Sequence, residues 1–84
     1  MERKTMIIER YPIAGTERYA IRAVHEGNHI DPTFQLGLAA SFGSDSPKLV
    51  MRLTALGHIH GFTHVTYVGR WVNWEQKQPK DGLI

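Results

Sequence analysis

The chain contains no cysteine. Disulfides and thiolate metal sites are therefore excluded, and the fold has to hold by its core or by a partner. The lack of thiols suits a reducing cytoplasm. Long apolar runs are missing as well. Met6-Ile7-Ile8 is interrupted at once by Glu9 and Arg10, too soon for a signal segment or a membrane span. The glycines match no phosphate-binding spacing, with neither G-x-G-x-x-G nor a Walker lysine. The eight acidic residues are scattered over turns and strand edges, so no carboxylate pair is set up for acid–base work. Nor is there a concentration of one charge: the formal net charge is +2, with acids and bases interleaved. That falls well short of the basic face of a nucleic-acid binder. The expectation is a soluble, unprocessed, cytoplasmic protein with no catalytic residues, no cofactor and no metal.

What is present is one domain. The 84 residues leave little room for a second core, and an apolar share of 42% is ordinary for a globular chain. Residues 1–84 are read as a single unit with charged or loose ends at 1–4 and 77–84.

The stretch 46–61, S-P-K-L-V-M-R-L-T-A-L-G-H-I-H-G, organises the rest. Ser46 is a preferred N-cap, and Pro47 falls at the first helical position, where its missing N–H costs nothing. Gly61 can take the left-handed conformation that closes a helix. At about 100° per residue, Leu49, Leu53 and Leu56 share a face with Val50 and Gly57 beside them, and His60 continues the line.

The remaining segments read as strands. Residues 5–11 are rich in β-branched and aromatic side chains and stop at Pro12. Residues 18–24 form a second strand, followed by a turn at Glu26-Gly27-Asn28. Residues 34–42 alternate with period two, placing Phe34, Leu36, Leu38, Ala40 and Phe42 on one side. After the helix, residues 62–68 and 71–76 flank Gly69-Arg70, a pair suited to a two-residue hairpin. That register puts Val65 and Tyr67 on the core face and Val68 and Trp71 on the outer one. The fold class that follows is α+β: an antiparallel sheet of about five strands, in the order β-β-β-α-β-β, with one helix packed on one face.

Several constellations invite chemistry. His58, His60 and His64 lie close in sequence, but on a helix His58 and His60 point about 200° apart, and no acid completes a zinc site. Ser41, Ser44 and Ser46 surround Asp45, yet G-S-D-S-P reads as a helix start that satisfies free amides. Trp71 beside Arg70, near Lys77 and Lys80, could stack a base and contact phosphate. This makes a small nucleic-acid-binding protein, using a basic and aromatic sheet surface, the alternative function.

The helix also carries a second apolar line, Met51, Ala55 and Ile59, flanked by Lys48 and Arg52. A helix covering a sheet needs only one such stripe. Either the second meets a protein or a copy of the chain, or Ile59 tucks against the first strand and Met51 is a lone exposed methionine. Tryptophan is enriched at binding hot spots. The expected contact residues are therefore Met51, Arg52, Ile59, Val68, Arg70 and Trp71, and the expected partner is a protein.

The arrangement of strands leading into G-S-D-S-P, a short helix and then T-H-V-T-Y-V-G-R-W-V-N-W resembles small phage-encoded anti-CRISPR proteins. The likeness is to the strand–helix–strand members aimed at multi-subunit type I complexes. It is one of architecture, covers roughly residues 7–74, and assigns no role to any individual residue. It implies a non-enzymatic inhibitor in the host-cell cytoplasm that occupies a surface of a host protein complex, a CRISPR effector. The low acidity departs from members that imitate DNA, which favours steric blocking or subunit capture.

Overall fold

The computed structural model describes residues 3–30, 46–71 and 82–84. Five strands and one helix follow there in the order β1 (Thr5–Pro12), β2 (Tyr19–His25), β3 (Asn28–His29), α1 (Pro47–Ile59), β4 (His64–Gly69) and β5 (Gly82–Leu83). The strands make one sheet, ordered β3-β2-β1-β4-β5, and α1 packs on one of its faces against β1 and β2. The class is α+β, as the sequence led us to expect.

β1 is the central strand, and its alternation shows why. Met6 and Ile8 are wholly buried beneath α1, whereas Ile7 and Glu9 lie half-buried on the opposite face. β2 pairs with it antiparallel, from Ile7↔Val24 to Pro12↔Tyr19. Pro12 is tolerated because pairing with β4 has already stopped at Arg10. The turn between β2 and β3 has positive φ at both central residues, Glu26 (52°) and Gly27 (82°). That is the signature of a two-residue hairpin whose twist matches its strands. The turn expected here is thus a tight hairpin, and its return arm supplies β3.

Two of the five strands differ from those expected. The strand expected over 34–42 lies outside the described residues, as does nearly all of that over 71–76. β5 instead falls in the tail expected to be loose, where Gly82 and Leu83 pair with Val65 and His64. Just before β1, the Lys4 carbonyl accepts from the amides of Thr63 and His64 at 2.9 and 3.1 Å.

The sheet is also mixed rather than wholly antiparallel, because β4 runs parallel to β1. Parallel neighbours need a crossover connection, which a helix supplies. The 13 residues of α1 span about 20 Å at 1.5 Å each, roughly the length of a six-residue strand.

α1 itself forms as its ends dictate. The Ser46 hydroxyl accepts from the Lys48 amide at 3.2 Å, and Pro47 opens the first turn. At the other end, Gly61 donates to His58 and Phe62 to Gly57, both at 3.0 Å, with Gly61 at φ 84°. This paired closure leaves His60 as an exposed cap residue, so it does not extend the buried stripe. Leu49, Val50, Leu53, Leu56 and Gly57 face the sheet as the periodicity requires. Gly57 lets β1 approach, since a Cβ there would stand 2.6 Å from Met6 Cε. Replacing Ser46 with alanine is expected to cost about 1 kcal/mol. The readout is a lower urea midpoint at unchanged slope, and an unmoved midpoint would show that the cap contributes nothing.

Candidate protein-binding surface

With the leucine face of α1 committed to the core, its periodicity turns Lys48, Met51, Arg52, Ala55 and Ile59 outward. All five are exposed, Met51 at 71% and Ile59 at 78%. Isolated apolar residues are common on surfaces, but these follow one another at i, i+4 and i+8 with Ala55 between them. Ile59 does not tuck against β1. Lys48, Met51, Arg52 and Ala55 line an open depression of about 550 Å³.

The other expected contact residues do not join this surface. Val68 is exposed but alternates with Val65 and Tyr67, so it lies on the sheet face opposite α1. Arg70 is exposed just beyond β4, where its amide donates to the Arg10 carbonyl at 3.2 Å. Trp71 does not face outward: it is only 7% exposed and belongs to the core cluster. Its ring meets Tyr67 edge-on, with centroids 5.7 Å apart, and its indole N–H donates to the Val68 carbonyl at 2.7 Å. The outward placement followed from carrying strand alternation through Gly69-Arg70. Gly69 instead ends β4 with φ 102°, which resets the direction of the side chains that follow. Met51, Arg52 and Ile59 thus stand together, joined by Lys48 and Ala55, which the i+3 and i+4 spacing from Met51 marks out.

The aromatic and basic residues of the sheet are engaged with one another. The Arg10 guanidinium lies 4.1 Å from the Tyr19 ring centre, and that of Arg22 lies 4.5 Å from Tyr11. Arg22 Nε also donates to Glu9 at 2.6 Å. A guanidinium stacked on a ring competes with a base for that face, and Trp71, being buried, is not itself an open stacking platform.

A second depression, of about 330 Å³, is bordered by Lys4, His25, His29, His60 and Phe62. Two of its polar side chains, those of Lys4 and His25, bond within the fold. Lys4 Nζ donates to the His60 carbonyl at 3.1 Å and sits 4.4 Å from the centre of the Phe62 ring. A cation there complements the negative end of α1. His25 Nδ1 bonds the Thr5 carbonyl at 3.0 Å. Among the described residues no group of three or more histidine or acidic side chains could hold a metal ion. No described helix is long and apolar enough to cross a membrane.

The class defined at this point is a small α+β domain with a mixed five-stranded sheet. The chain matches no protein-family model, no curated protein and no solved structure.

Proposed function

We propose that the protein is a non-enzymatic binding module whose partner is another protein, engaged through the outer face of α1. The observation that carries the reading is the exposure of Met51 and Ile59 on a helix whose inner face already fills the core. Covering them would contribute about 25 cal/mol per Å² of apolar area removed from water. Flexible methionine suits a surface that adapts to its partner. The likeness to small anti-CRISPR proteins extends the proposal to a phage-encoded inhibitor that sterically blocks a host defence complex. A net charge of +2 favours blocking over imitation of DNA.

The test is affinity capture from the native cell with the full chain as bait, beside a Met51→Glu, Ile59→Gln variant. Capture of the partner is expected to fall at least about tenfold, while stability stays within about 0.5 kcal/mol. Capture that survives both substitutions would rule out this face.

A further inference from the structure

We infer that the outer face of α1 receives an acidic amphipathic helix of another protein, its carboxylates meeting Lys48 and Arg52 while its apolar residues cover Met51, Ala55 and Ile59. The inference rests on the protein-binding reading and adds the chemistry of the partner.

Charge points to the acidic character. The exposed positions of α1 are Lys48, Met51, Arg52, Ala55, His58 and Ile59, and none is acidic. Surface helices commonly intersperse opposite charges at i, i+4 spacing for mutual support. Here neither Lys48 nor Arg52 has an ion-pair partner among the described residues. The described acids are elsewhere: Glu9 on β1, Glu17 and Glu26 in the turns flanking β2. Glu9 is already bonded to Arg22. The face is therefore apolar and cationic, and its complement is apolar and acidic.

Shape points to a helix. Met51, Ala55 and Ile59 make an i, i+4 ridge with its smallest member in the middle, a notch that a ridge of a second helix can fill. From 51 to 59 the ridge is about 12 Å long, which matches roughly two turns of a partner.

Charge also argues against the other occupants. A twofold pairing of α1 with itself would bring no carboxylate to Lys48 or Arg52, since its exposed face carries none. An anionic bilayer would ask for a broader apolar face with aromatic anchors; this one has two large apolar side chains and no ring.

The probe is a labelled amphipathic peptide of about 18 residues, with leucine at i, i+4 positions and glutamate beside them. Its control carries glutamine in place of each glutamate. Fluorescence anisotropy with the full chain should show the acidic peptide binding about tenfold tighter, an advantage that shrinks as salt is added. Lys48→Glu with Arg52→Glu should abolish the preference, with circular dichroism and melting temperature unchanged. Equal binding of both peptides, lost on Met51→Glu, would overturn the acidic partner and leave the protein-binding reading in place. Binding to phosphatidylserine vesicles in preference to either peptide would overturn it too, as would a dimer in sedimentation equilibrium that Met51→Glu dissolves. Native capture that survives loss of Met51 and Ile59 sinks both readings.

Discussion

Trp71→Ala is expected to lower the free energy of unfolding by about 3–5 kcal/mol. Three contributions add. The indole is almost wholly buried, so its removal leaves a large void in a close-packed interior. The edge-on contact with Tyr67 disappears. The Val68 carbonyl also loses the indole N–H that now reaches it at 2.7 Å. A domain of this size has only about 3–5 kcal/mol in hand, so the variant should be largely unfolded at 25 °C. Trp71→Phe keeps most of the ring volume and separates out the hydrogen bond, for which about 1 kcal/mol is expected beyond the lost area. Urea unfolding followed by far-ultraviolet circular dichroism reads both. A loss below about 1 kcal/mol for the alanine variant would place the ring outside the core.

Gly69→Ala is expected to cost about 3 kcal/mol through backbone geometry. Gly69 ends β4 at φ 102°, where any side chain is strained, and it lies directly against β1. A Cβ there would collide with the Arg10 carbonyl oxygen and stand 2.9 Å from its carbon. Neither atom can turn aside as a side chain can, so β4 would have to part from β1. Gly15 is the control: it has φ 78° but open space around a would-be Cβ. Gly15→Ala should cost only the left-handed penalty, about 1–2 kcal/mol. Thermal unfolding of the pair isolates the contact with Arg10. Equal losses would mean that β1 and β4 separate without penalty.

How far the chain could be read follows from what each signal depends on. α1 was legible because its determinants are local: Ser46 and Pro47 at one end, Gly61 at the other, and leucines at helical spacing between. β1, β2 and the core side of β4 were legible for the same reason. The parallel pairing of β4 with β1 was not, since nothing within either strand states which neighbour it takes or in which sense. β3 and β5 are two residues each, too short to show a period. Glycine before arginine resembled a hairpin turn, and only the approach of Arg10 shows why glycine stands there. The helix part of the candidate surface was visible because an outer apolar stripe has the same period as an inner one. Val68, Arg70 and Trp71 could not be sorted that way, because their directions depend on where β4 stops.

The position of β1 bears on how the nascent chain folds. Of the five described strands, the earliest in sequence is the central one, and the hydrogen bond between Lys4, just before it, and Thr63 joins positions 59 apart. Its hairpin with β2 closes over a short loop, whereas docking of β4 has a long entropic gap to bridge. Until α1 and β4 have left the ribosome, one edge of the hairpin keeps its hydrogen-bonding groups bare, open to mispairing with other chains.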